Sequence, residues 1–131
     1  LFGDSGANFV RTILKLAHEK DTLKVVNDQI GSPTYAWDLA RAIGELIRTE
    51  SYGIYHGTNE GICSWFQFTK DILETAGITH VKVEPMTTEE LNRPAPRPRY
   101  SVLAKDGFKT LGIEMPDYHD ALKRFLNKDI Y

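Results

Sequence analysis

Three arginines sit on a proline-stiffened run, Arg93-Pro94-Ala95-Pro96-Arg97-Pro98-Arg99, which feeds into Tyr100-Ser101-Val102-Leu103. Proline fixes its own φ and pushes the preceding residue out of the helical region, so each Arg-Pro pair is already extended and loses little freedom on ordering. A guanidinium presents a planar fork of donors that suits a diphosphate. The segment therefore has the chemistry of a clamp for a phosphorylated ligand. A solvated basic linker has the same composition, and these residues alone do not separate the two readings. The second candidate is the stretch Gln29-Ile30-Gly31-Ser32-Pro33-Thr34. It follows a predicted strand at its carboxyl end, where open α/β sheets gather ligands, and Gly31 with Pro33 lets the backbone approach a ligand in a fixed shape. Gln29 and Ser32 bring an amide and a hydroxyl that can bond a sugar or a pyrimidine. A tight strand-to-helix turn capped by Ser32 or Thr34 is the structural alternative.

Other reactive side chains are dispersed. His18, His56, His80 and His119 include no pair at the spacing of a metal site, so no metal is expected. Asp28 lies at a strand end, and Asp38 on a helix is expected to cap or orient its turn; neither these nor Glu60 is expected to act as a general acid or base. Trp37 and Trp65 have periodic apolar neighbours and are expected to pack against helices rather than stack on a cofactor.

The elements that must position these groups alternate. Phe9, Val10, Ile13, Leu14, Leu16 and Ala17 recur at helical spacing behind Asn8, a good N-cap. Leu23 to Val26 is a short, partly β-branched run and reads as a strand. Ala36, Leu39, Ala40, Ile43, Leu46 and Ile47 define a second helix, and Ile54 to His56 after Gly53 reads as another strand. Ser64 and Gln67 form a capping-box pattern before a helix carrying Trp65, Phe68, Ile72, Leu73 and Ala76, stopped by Gly77. Val81 to Pro85 is expected as an edge strand ended by its proline. Thr87 and Glu90 make a second capping box, and Asp117 starts the last helix. Alternation of this kind predicts an α/β class. Helices outnumber strands, so Ile54 to His56 is expected to pair with strands outside this chain and to leave apolar surface exposed in its absence.

Composition narrows the function. A chain of 131 residues is long enough for one domain with a core. The formal charge of -2 gives no general reason to expect nucleic acid or a membrane surface as partner. A single cysteine, Cys63, excludes an internal disulfide and fits a reducing, cytoplasmic setting. No apolar run approaches the roughly 20 residues of a membrane helix.

Taken together, several spaced motifs resemble one family. Leu1-Phe2-Gly3 followed by Asn8-Phe9, then Val25-Val26-Asn27-Asp28-Gln29-Ile30-Gly31-Ser32-Pro33-Thr34 running into Asp38-Leu39-Ala40, are similar to blocks of the dTDP-4-dehydrorhamnose reductases. Gly53-Ile54-Tyr55-His56 with Asn59-Glu60-Gly61, then Ser64-Trp65, and Arg97-Pro98-x-Tyr100-Ser101-x-Leu103 complete the series in the same order. These enzymes are NDP-sugar reductases of the extended short-chain dehydrogenase/reductase group. The resemblance implies a Rossmann-type α/β protein of which residues 1–131 are the C-terminal, substrate-binding portion with its small subdomain. The family reduces dTDP-4-dehydro-L-rhamnose to dTDP-L-rhamnose with NADPH or NADH. By position, the resemblance implies that Val25, Val26, Gln29 and Ser32 lie near the nucleotide of the substrate. It implies further that Arg97 meets the diphosphate with Tyr100 and Ser101 beside it, and that Asn8 and Phe2 lie near the hexose and the nicotinamide.

Two family features are missing. No glycine-rich strand-to-helix turn of the dinucleotide type occurs, and the residues four after Tyr35, Tyr52, Tyr55, Tyr100 and Tyr118 are Leu39, His56, Asn59, Ala104 and Leu122, so there is no Tyr-x-x-x-Lys. The cofactor-binding half and the catalytic Tyr and Lys of the family lie N-terminal to the segment seen here. The chain alone is therefore expected to bind no cofactor and to catalyse nothing, with homodimerisation as one outlet for its exposed surface. Other readings compatible with the sequence are a non-catalytic subunit like the regulatory subunit of methionine adenosyltransferase, an NDP-sugar epimerase or dehydratase, and a stand-alone interaction domain.

Overall fold

The computed structural model describes residues 1–127. Helix α1, Phe9–Glu19, buries Val10, Ile13 and Ala17 along one stripe. The Asn8 Oδ1 accepts the Arg11 N–H at 3.1 Å, as the cap reading expects, while Asn8 Nδ2 donates to the Gly3 carbonyl at 3.0 Å. Strand β1, Thr22–Val26, pairs in parallel with β4, Lys82–Met86, placing Leu23 opposite Val83 and Val25 opposite Pro85. The ladder runs through Pro85 instead of stopping there. Lys82 N–H donates to Asp21 O at 2.8 Å and Asn27 N–H donates to Met86 O at 3.0 Å, so the even-numbered residues of β4 carry the bonds. The N–H that Pro85 lacks falls on the open edge, where no partner requires it.

Two very short strands, β2 (Ile30–Gly31) and β3 (Cys63–Ser64), form a separate antiparallel pair. Between them runs helix α2, Ala36–Leu46. Helix α3, Trp65–Thr75, follows β3 directly; Ser64 Oγ accepts the Gln67 N–H at 3.0 Å, and the chain turns out at Gly77 with φ +69°. The expected capping box is only half made there, because the Gln67 amide donates to Asp71 Oδ1 at 2.8 Å instead of reaching back. The second box is complete at α4, Thr88–Leu91, where Thr87 and Glu90 cap each other. A short helix α5, Asp106–Thr110, and α6, Tyr118–Leu126, complete the order, with Asp117 capping α6 as expected.

Ile54 to His56 is not a strand. A ladder needs a neighbour, and none of the described residues pairs with this segment, whose expected partners lie outside the chain; Ile54 is 93% exposed. Trp37, expected in helix packing, likewise faces outward from α2. The main core lies where α1, α3, α6 and β1 meet, around Phe68, Ile72, Leu122 and Val10, and a smaller cluster of Ala42, Phe108, Ile113 and Met115 lies under α2. Among the described residues, no helix is long and apolar enough to cross a membrane.

Candidate functional site

The groups singled out by their chemistry converge because Ile30 is bonded on both flanks. On one side it pairs with Ser64 of β3. On the other, Ile30 N–H donates to Arg99 O at 2.8 Å and Ser101 N–H donates to Ile30 O at 2.9 Å, so the arginine-proline run docks as a third, bridge-length strand. A further parallel bridge joins Phe2 to Tyr35, through Phe2 N–H to Thr34 O at 2.9 Å and Ala36 N–H to Phe2 O at 2.8 Å. These three seams enclose a cavity of about 350 Å³ bordered by the 29–34 loop, the starts of α1 and α3, and the segment from Arg97 to Ser101.

Gln29, Ser32, Arg97, Ser101 and Phe2 all border this cavity. The polar ones are held from behind. Gln29 Nε2 donates to Thr88 Oγ1 at 3.0 Å, and that hydroxyl in turn donates to Asp28 Oδ1 at 2.7 Å. The bond from Thr88 holds the Asp28 carboxyl below its ordinary range. Ser32 Oγ donates to the Gly61 carbonyl at 3.0 Å. Gly61 sits at φ +87°, and a Cβ there would lie 2.7 Å from the Tyr118 ring, so that anchor depends on glycine. Arg97 is exposed on the rim, so its guanidinium can meet a charged ligand without first losing its water to the core.

The remaining sequence-based candidates fall elsewhere. Val25 and Val26 are 9% and 5% exposed and do not border the cavity; their branched side chains belong to the packing of β1, and their contribution is the strand that carries Gln29 to the rim. Asn8 spends its Oδ1 on the start of α1 and an N–H of its Nδ2 on the Gly3 carbonyl, and it also lies off the cavity. Tyr100 bridges Ile30 through its backbone while its side chain faces outward. Phe2 is a core residue stacked on Tyr35 with ring centroids 5.3 Å apart, and it also borders the cavity.

Trp65 packs on Phe9 of α1 with ring centroids 4.6 Å apart, as the helix-packing reading expects, and also has a neighbour that reading did not foresee. It borders the cavity together with Phe9 and Ser64. The signal was its position directly after the N-cap serine: the first residue of a helix lies at its end, where a periodic pattern does not decide which way it faces.

Two buried polar groups support the site from below. Asn59 is fully buried; its Oδ1 accepts the Tyr35 N–H at 2.7 Å and its Nδ2 donates to Asp38 Oδ2 and to Pro116 O, both at 2.8 Å. Arg124 Nη2 also donates to Asp38 Oδ2 at 2.8 Å. Asp38 is thus a buried ion-pair partner and makes no cap. Burial would raise its pKa, but the hydrogen bonds from Arg124 and Asn59 and the guanidinium charge outweigh it and hold the carboxyl below its usual value. In the second group, Tyr118 Oη donates to Asp71 Oδ2 at 2.7 Å beside Cys63.

Burial, reinforced by the Asp71 and Asp117 carboxylates, pushes the Cys63 thiol up to about 11 despite a bond from Tyr118. Since the thiolate is the nucleophile, Cys63 will alkylate slowly at neutral pH although it borders the cavity. Its iodoacetamide rate, followed by mass spectrometry while circular dichroism reports an intact fold, is expected to keep rising above pH 9. A plateau near pH 8.5, the ordinary thiol value, would contradict this.

The chain is similar to known proteins along nearly its whole length. The chain is 44% identical over 128 residues to the spore coat polysaccharide biosynthesis protein SpsK of Bacillus subtilis, covering 98% of this chain and 44% of that protein. It is 41% identical over 119 residues to a dTDP-4-dehydrorhamnose reductase of Streptomyces griseus, covering 87% of this chain and 39% of the relative. The crystal structure of a dTDP-4-dehydrorhamnose reductase from Bacillus anthracis in complex with NADP superimposes with a TM-score of 0.92 at 43% identity, over 97% of this chain and 45% of that one. The chain therefore spans less than half the length of these relatives. The family model described as the RmlD substrate binding domain matches residues 1–130, and the chain belongs to that family.

Proposed function

We propose that this chain is the nucleotide-sugar-binding portion of a dTDP-4-dehydrorhamnose reductase, a protein that reduces dTDP-4-dehydro-L-rhamnose to dTDP-L-rhamnose with NADPH or NADH. The observation that carries the reading is one cavity bordered jointly by Arg97, Gln29, Ser32 and Ser101, a cationic fork beside amide and hydroxyl groups. That set matches a diphosphate joined to a nucleoside. The residues present do not fit a dinucleotide. Strand β1 runs out into Asn27-Asp28 with no glycine turn opening onto a helix, and Phe2, the residue nearest to the nicotinamide by family position, is packed in the core. The cofactor and the proton donor would come from a portion outside residues 1–131, and the work of this chain is to hold the sugar nucleotide in a fixed place relative to them.

In the intact protein, Arg97→Ala is expected to weaken binding of the dTDP-sugar by about 1 to 3 kcal/mol, the range for a hydrogen bond to a charged group. Calorimetric titration measures it. An unchanged affinity would remove Arg97 from the site, and failure of the unmodified protein to bind any dTDP-sugar would remove the function.

A further inference from the structure

We propose that Trp65, backed by Phe9, is the platform on which the pyrimidine base of the nucleotide stacks. The inference rests on the nucleotide-sugar reading above and assigns a wall of the same cavity. Phe68, Ile72 and Leu73 on the buried face of its helix are each no more than 4% exposed and Phe66 is half-buried, whereas Trp65 is 42% exposed. It nevertheless has a fixed place. Its ring lies 4.6 Å from that of Phe9, inclined at 54°, and Phe9 stacks on the buried Phe68 at 5.8 Å and 16°. The row Phe68, Phe9, Trp65 therefore leads from the core to the cavity, and its outermost member keeps its indole accessible at the cavity wall. A large aromatic surface left accessible but held by its neighbours is preorganised for a planar partner, which it receives at little entropic cost.

The polar side of the cavity makes that partner a base. Arg97 takes charge, and of the remaining parts of a nucleotide-sugar the base is the one with an aromatic plane to match the indole. Gln29 spends one N–H of its Nε2 on Thr88, which fixes the amide and leaves it the acceptor Oε1, suited to the ring N–H of a pyrimidine, beside one further N–H. Stacking on an aromatic side chain serves any base, while an acceptor opposite the ring N–H selects among them.

Calorimetric titrations of the intact protein with dTDP and with inorganic pyrophosphate separate the two walls. Trp65→Ala and Trp65→Leu are expected to weaken dTDP binding by about tenfold to a hundredfold, the usual loss for one stacked base. Both should leave pyrophosphate affinity unchanged, and Trp65→Phe should retain most of the dTDP affinity. Arg97→Ala should weaken both ligands. Unchanged dTDP affinity in Trp65→Ala overturns the platform, and so does an equal loss for dTDP and pyrophosphate, which would mark collapse of the cavity. If Trp65→Leu, which keeps an apolar side chain but no ring, binds dTDP as the unmodified protein does, stacking is likewise excluded. A protein that binds neither ligand before substitution fails the nucleotide reading itself, and the platform falls with it.

Discussion

Replacing Arg124 by methionine will destabilise the fold by about 3 to 5 kcal/mol, because it leaves a buried carboxylate without its counter-charge. The Asp38 residue is 2% exposed, and its Oδ2 receives N–H groups from Arg124 and from the fully buried Asn59. Asn59 in turn holds the Tyr35 N–H and the Pro116 carbonyl, so the charge of Asp38 is tied to the turn that borders the cavity at Thr34. Arg124 itself is partly in water and also covers the Tyr35 ring at 5.7 Å, so the penalty comes mainly from the carboxylate side. The double variant Arg124→Met/Asp38→Leu removes both charges and should recover part of the loss, giving a coupling of about 1 to 3 kcal/mol. The pH dependence gives an independent check. In the unmodified protein the native carboxyl binds a proton less readily than the unfolded one, so its contribution is complete above about pH 4, the unfolded value, and is lost as pH falls through the lower native value. In Arg124→Met, burial without a counter-charge raises that value, and the gap between variant and unmodified protein should narrow on acidification from pH 7. Urea unfolding at pH 7 and pH 4.5 measures both; a loss under 1 kcal/mol, or a gap that widens in acid, contradicts this account of the network.

Much of the architecture was legible because it is written in local rules. The cap at Asn8, the serine opening α3, the box at Thr87 and Glu90, and the cap at Asp117 each need only a few consecutive residues, and each is found in place. What escaped notice depends on contacts far apart in sequence. The ion pair of Asp38 spans 86 positions to Arg124, and its Asn59 partner lies in a stretch with no periodic signal. Pro85 stays inside β4 only because its N faces an open edge, a fact that belongs to the pairing and not to the residue. The cavity shows both sides of the same limit. Gln29 and Arg97 were visible because their chemistry and backbone stiffness are local, whereas their meeting depends on Ile30 bonding to the Arg99 to Ser101 segment, some 70 residues away. Trp65 does pack on Phe9, as its helical spacing suggests, but that it also borders the cavity depends on where the first turn of α3 lies against the 29–34 loop, which periodicity does not show.

Expressed by itself, the 131-residue chain will self-associate, and the surface responsible will be the outer face of α2. Trp37, Ala40, Ile43 and Ile47 recur there at helical spacing and are all exposed, Ile47 to 75%. Each large apolar side chain contributes about 1.5 to 3 kcal/mol when fully buried, so covering this stripe is worth enough to drive association at micromolar concentration. Nearby in sequence, Tyr52 and Ile54 are almost fully exposed on a segment with no ladder partner among the described residues. An apolar helix face and exposed apolar side chains beside it are what a sheet-bearing domain would cover, and under the proposed function the remainder of the reductase would cover them. Sedimentation velocity of the isolated chain should therefore show species larger than the 14.9 kDa monomer. Ile43→Lys/Ile47→Glu should return it to a monomer without lowering its melting temperature, because neither side chain belongs to either core cluster. The same double substitution in the intact protein is expected to do the reverse, destabilising it by several kcal/mol through charges forced into a buried interface. A chain that stays monomeric at tens of micromolar, or an intact protein indifferent to these charges, would mean that the face of α2 is built for water.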